Sequence, residues 1–165
     1  MLRLFIFFPI FLLSQDFFML PDQADHLIHS YNSDIKKAKE RVYILSPDID
    51  EYLLLKTLRM LARQKIKLII ITGESLDDSR LNTEKQNRDS AGYLSLLENI
   101  SVYVLKSLNK TGIEGSLICI DNEKLYLLSQ SLEQKKMKQV YSLASYQETE
   151  CDYIFKTLLQ RSKEY

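Results

Sequence analysis

The sequence predicts an α/β fold with a mixed, largely parallel central sheet flanked by helices. Three observations lead there. VYILS (42–46), KIKLIIIT (65–72) and SVYVL (101–105) are short, nearly continuous apolar runs, the pattern of strands buried on both faces. Residues at helical spacing separate them, so each strand reaches the next by a right-handed βαβ crossover. Further on, SLICID and KLYLLS are parted only by Asn122-Glu123, which reads as an antiparallel hairpin.

From Pro21, Ala24, Leu27, Ile28, Tyr31, Ile35 and Ala38 recur at three- and four-residue steps and predict a first helix, with Lys36, Lys37, Lys39 and Arg41 on its other face and exit. VYILS is the first buried strand, ended by a turn at Pro47-Asp48. Leu54, Leu55, Leu58, Leu61 and Ala62 form the apolar face of a second helix, and KIKLIIIT is the next strand. Residues 73–89 are polar and charged and read as a loop. Ala91, Tyr93, Leu94 and Leu97 make a short helix before SVYVL. Residues 106–115 are again irregular and lead into the hairpin. QVYSLASY (139–146) alternates like one more strand, and a closing helix carries Ile154, Leu158 and Arg161 at helical steps.

Length and composition set limits on function. A chain of 165 residues, 45% apolar, with three prolines and four glycines, can bury the core of one globular domain. Lysine plus arginine and aspartate plus glutamate both number 22, so no overall basic field attracts nucleic acid, and polyanion binding needs a local patch. The opening segment has one cation, Arg3, then an apolar run from Leu4 to Leu13, then Ser14, Gln15 and Asp16: the layout of an export signal. A run of about ten residues is shorter than the roughly 20 that span a bilayer, but extending it through Leu20 also fits a retained anchor. We therefore divide the chain into residues 1–20, a signal peptide or N-terminal membrane anchor, with a buried core segment as the remaining reading of these residues, and residues 21–165, the folded domain. Either of the first two readings puts the domain outside the cytoplasm, in the periplasm or on the outer side of the cytoplasmic membrane.

Cys119 lies in an apolar strand pattern and Cys151 at the start of the last helix. Both read as small buried hydrophobes, although an oxidising compartment would allow them to pair. His26 and His29 are three residues apart with no carboxylate or thiol at a matching position, so no metal site and no cofactor is expected.

The order of elements, the strand-turn ILSP, the strand ending in Thr72-Gly73 and the hairpin IDNEKLYLLS together resemble the phospholipase D superfamily, in the form of its small, single-domain exported nucleases. The resemblance covers residues 21–165. Members carry His-x-Lys-x-x-x-x-Asp, followed seven residues after the aspartate by Gly-Ser-x-Asn. Carried over position by position, the aspartate falls on Asp121, the lysine on Ser116 and the histidine on Glu114. The Gly-Ser-x-Asn positions fall on Leu128, Ser129, Gln130 and Ser131. Only Asp121 and Ser129 match.

The family chemistry gives these losses weight. The resemblance implies a histidine that attacks phosphorus, a second histidine from a dimer partner that protonates the leaving oxygen, and lysine and asparagine that hold the developing charge. A carboxylate at 114 repels a phosphodiester, and serine at 116 has neither the charge nor the reach of lysine. A symmetric partner brings the same substitutions. Glu114 and Asp121 do not form a carboxylate pair either, because an odd separation along a regular strand puts them on opposite faces. Asp121 has a plain structural role available, as a hairpin-turn aspartate accepting from backbone N–H groups.

Lys135, Lys136 and Lys138 follow the hairpin near the edge where the family binds phosphate, and are candidate contacts for a nucleic acid or lipid headgroup. Two functions follow from the sequence. One is a non-catalytic phospholipase D-like protein that binds a partner or a phosphate-containing ligand. The other is a diverged phosphodiester hydrolase. The resemblance also implies a homodimer, which apolar packing would hold without the histidine.

Overall fold

The structure is a computed structural model that describes residues 17–19, 22–73, 91–105, 115–129, 131–132, 142–147 and 151–164. Its elements in chain order are β1 (Phe17–Met19), α1 (Ala24–Ile35), β2 (Arg41–Ser46), α2 (Tyr52–Arg63), β3 (Lys67–Gly73), α3 (Ala91–Leu94), β4 (Ile100–Leu105), β5 (Ser116–Ile120), β6 (Lys124–Leu128), β7 (Ser142–Gln147), α4 (Cys151–Leu159) and β8 (Lys163–Glu164). They form one mixed sheet in the order β1-β7-β6-β5-β2-β3-β4-β8. β2, β3 and β4 run parallel, with Ile44 opposite Ile70 and Ile70 opposite Val102. The remaining pairings, including the β5–β6 hairpin and its contact with β2, are antiparallel.

Alternation along β2 shows how the layers form. Val42 and Ile44 face a core built with Leu27, Tyr31 and Ile35 of α1 and Leu54, Leu58 and Leu61 of α2. Tyr43 and Leu45 face the opposite core, with Cys119, Cys151 and Phe155 under α4. Burial on both faces explains why β2 and β3 read as continuous apolar runs. The Tyr43 ring stacks on Phe155 at 4.8 Å between centroids, fixing α4 over the sheet.

Helix α2 is well bounded. The Glu51 carboxylate accepts from the backbone N–H groups of Leu53 (2.8 Å) and Leu54 (2.6 Å), satisfying two donors of the first turn. At the other end Lys65 has φ 63°, which stops the helix and delays β3 to Lys67, two residues later than the apolar run suggested. Asn99, also left-handed at φ 66°, donates from its side chain to the Ala62 carbonyl and ties the turn before β4 to the helix end.

Three expectations change. The last helix ends at Leu159, so Arg161 is in a turn; Ser162 donates to the Leu158 carbonyl, and the chain returns to pair as β8 with the edge of β4. Cys119 and Cys151 are indeed fully buried but are bonded as a disulfide, with Cα atoms 6.3 Å apart, joining β5 to the first residue of α4. Phe17–Met19, read as the end of the leader segment, pairs antiparallel with β7, so the sheet begins ahead of Pro21. The apolar run Leu4–Leu13 and Lys135, Lys136 and Lys138 lie outside the described residues, and among the described residues no helix is long and apolar enough to cross a membrane.

Candidate functional site

The carboxyl ends of parallel strands, where α/β folds bind ligands, are here the ends of β2 and β3. The start of β5 and the end of β6 lie beside them, which gathers Ser116, Ser129 and Ser131 at this end of the sheet. A polar cluster fills the place. Ser46 at the end of β2 donates to the Asp48 carbonyl (2.6 Å) and accepts from the Leu132 N–H (2.9 Å). With the Ser46 proton engaged by Asp48, the Ser116 hydroxyl is the donor in its 2.8 Å bond to Ser46. Thr72 at the end of β3 donates to the Pro47 carbonyl, and Leu132 pairs with Ile49 while its carbonyl accepts from Asp50 and Glu51.

Ser116 and Ser131 are each 1% exposed, and Ser129 is exposed. Ser116, which the resemblance places at the lysine position, is thus a buried hydroxyl bonded inward to Ser46. Where the family motif has glycine the chain has Leu128, and glycine stands beside Ser116 at position 115. A Cβ on Gly115 would lie 2.6 Å from the Leu128 carbonyl oxygen, so the two strands approach too closely there for any side chain. Glu114 and Gln130 lie outside the described residues.

Asp121 is at the other end of the hairpin, five residues along β5 from Ser116, or about 17 Å at strand rise. It stands with Asn122 in the turn, at φ 51° and 59°, and the Glu123 N–H closes the turn onto the Ile120 carbonyl. Its carboxylate accepts from the backbone N–H groups of Lys39 (2.7 Å), Glu40 (3.0 Å) and Arg41 (2.9 Å). Asp121 therefore holds the chain where α1 hands over to β2. Desolvation pushes its carboxyl group up, but the N–H groups of Arg41, Lys39 and Glu40 prevail and hold it below the usual carboxylate range. The expected turn role is realised with donors about 80 residues away in sequence instead of neighbours.

A second carboxylate completes this junction. Asp152 accepts from Asn122 (2.6 Å), from the Tyr43 hydroxyl (2.9 Å) and, through both carboxylate oxygens, from Arg41 Nη1 (2.9 and 3.0 Å). The Asn122 bond chiefly lowers its proton affinity, with Tyr43 and Arg41 adding to it against desolvation. Beside it, Asp34 of α1 accepts from both Lys124 and Tyr126 of β6. These contacts tie the turn, α1, β2 and α4 together.

His26 and His29 are exposed on α1, and among the described residues no group of histidine, cysteine or carboxylate side chains could hold a metal ion. Ser46, Thr72 and the buried Glu51 were not identified from the sequence; the first two act where strand ends meet across the sheet, and Glu51 caps α2. A further feature was also missed. Helix α2 carries Lys56, Arg59 and Arg63 with no carboxylate, and these line a groove of about 460 Å³ together with Lys36 and Tyr93.

Neither a protein-family profile nor a curated protein sequence matches this chain. Solved structures do. NucT from Helicobacter pylori superposes with a TM-score of 0.75 at 19% identity, over 92% of this chain and 99% of that one. Nuc from Salmonella typhimurium, a phospholipase D family member, gives 0.69 at 13% identity, over 92% and 97%. Phosphatidylserine synthase from Haemophilus influenzae gives 0.64 at 12% identity, over 93% of this chain and 40% of that chain. The strand order, the βαβαβ half, the hairpin and these superpositions together establish that the chain has the fold of the phospholipase D superfamily.

Proposed function

We propose that this chain is a non-catalytic phospholipase D-like protein that acts by binding a phosphate-containing ligand or a partner, exported or held at the membrane by the apolar run Leu4–Leu13 ahead of β1, and working as a homodimer. The observation that carries this reading is Ser116. At the position of the family lysine it is buried and its hydroxyl donates to Ser46, so it offers a phosphoryl group neither charge nor access. The histidine position is glutamate, and a covalent phosphohistidine route has no nucleophile there.

The competing reading, a diverged phosphodiester hydrolase, draws on the fold alone. The test is hydrolysis of a fluorogenic phosphodiester and of single- and double-stranded DNA by the purified full chain, with Glu114→Gln as the control. The full chain is needed because Phe17–Met19 belongs to the sheet. Asp121 is unsuitable as a control residue, since its loss acts on the fold. No turnover is expected. Turnover abolished by Glu114→Gln would overturn the reading, and a concentration-independent monomer mass in sedimentation would remove the homodimer.

A further inference from the structure

The outer face of α2 reads Tyr52, Lys56, Arg59 and Arg63, at steps of four, three and four residues, which puts all four on one side of the helix. Tyr52 is 53% exposed, and Lys56 and Arg63 are exposed. Lys36, at the end of α1, adds a fourth cation to the groove of about 460 Å³ along this face, and Tyr93 of α3 also lines it. A smaller groove of about 170 Å³ shares Arg59, Arg63 and Tyr93, so the two run into each other, and Glu98 places one carboxylate at that smaller end. Among the described residues no carboxylate lines the larger groove, in a protein whose charges otherwise balance at 22 and 22. Among the described residues none of the motif positions lines it either.

We propose that this groove binds single-stranded nucleic acid through its phosphate backbone, with Tyr93 as a stacking platform. The inference rests on the binding function proposed above and gives it a location and a ligand class. Lys56 and Arg63 are seven residues apart, about 10.5 Å along the helix axis, so the cations form a track instead of meeting at a point. A cationic track beside an aromatic ring is the arrangement that holds single strands without sequence preference. Concavity separates this ligand from a lipid bilayer: a strand enters a groove, whereas a membrane surface meets protruding side chains.

The test is fluorescence anisotropy of a labelled oligodeoxythymidylate with the full chain over a salt series, comparing wild type with Lys56→Gln/Arg63→Gln. Both side chains are exposed and glutamine is a good helix former, so the variant should keep the wild-type melting temperature. We expect binding about ten-fold weaker, and a log–log salt slope flatter by about 1.4 for two lost phosphate contacts on a single strand. Unchanged affinity and slope would overturn the groove while leaving a binding function elsewhere. Wild-type protein that binds phosphatidylserine vesicles and ignores the oligonucleotide would overturn the ligand class. Cleaved oligonucleotide in the same samples would overturn only the non-catalytic reading, because the variant's salt slope still decides the groove.

Discussion

Replacing Asp121 by asparagine separates a structural aspartate from a catalytic one. Asparagine keeps the side-chain shape and tolerates the left-handed conformation that position 121 adopts at φ 51°. Its carbonyl oxygen can still accept from Glu40 and Arg41, but its NH₂ then faces the Lys39 N–H, which now donates to Oδ2 at 2.7 Å. One charge-assisted bond is lost and the others lose their charge. Such a bond contributes about 1.5–3 kcal/mol, and solvent around Lys39 offsets part of that, so we expect a loss of about 1.5 kcal/mol. For a chain of this length that lowers the melting temperature by about 3–6 °C. The pH dependence adds a second signature. The folded carboxyl group titrates below its unfolded value of about 3.9, so its stabilisation is complete above that pH and is lost as pH falls through the folded value. The gap between wild type and Asp121→Asn, read by thermal melts at several pH values, should be widest near neutrality and close in acid. Equal melting temperatures at pH 7 would refute this reasoning. So would a hydrolytic activity that vanishes in Asp121→Asn while the melt stays unchanged.

Two further substitutions probe the hairpin and its link to α4. Changing both cysteines to alanine in Cys119→Ala/Cys151→Ala releases a cross-link between residues 32 apart, which chain entropy puts at about 3.5 kcal/mol. Guanidinium unfolding should show that loss, dithiothreitol should shift the wild type by a similar amount, and two titratable thiols in the native protein would contradict the bond. Gly115→Ala brings a Cβ to 2.6 Å from the Leu128 carbonyl oxygen and forces β5 and β6 apart, at a cost of about 1–3 kcal/mol. A urea midpoint equal to that of the wild type would show that the strands are not held as closely as described.

Much of the fold can be read in the sequence, because local patterns carry it. β2 and β3 are apolar throughout since both faces are buried, the stripe Leu54, Leu55, Leu58, Leu61 and Ala62 faces the sheet, and the hairpin follows from two apolar runs with a short polar break. Boundaries were less legible. Lys65 ends α2 by a left-handed backbone that lysine does not advertise, and Arg161 continues a helical spacing that the chain abandons to pair with β4. The site divides in the same way. That Glu114 and Ser116 stand at the spacings the resemblance assigns to histidine and lysine is a property of the sequence alone. That Ser116 donates to Ser46, that Asp121 anchors the start of β2, and that Cys119 meets Cys151 depend on segments far apart in the chain arriving at one place. The basic groove belongs to this second kind. Its cations are visible in YLLLKTLRMLAR, but only the packing of α1, α2 and α3 around them makes a groove, because concavity is a relation between elements and no single element encodes it.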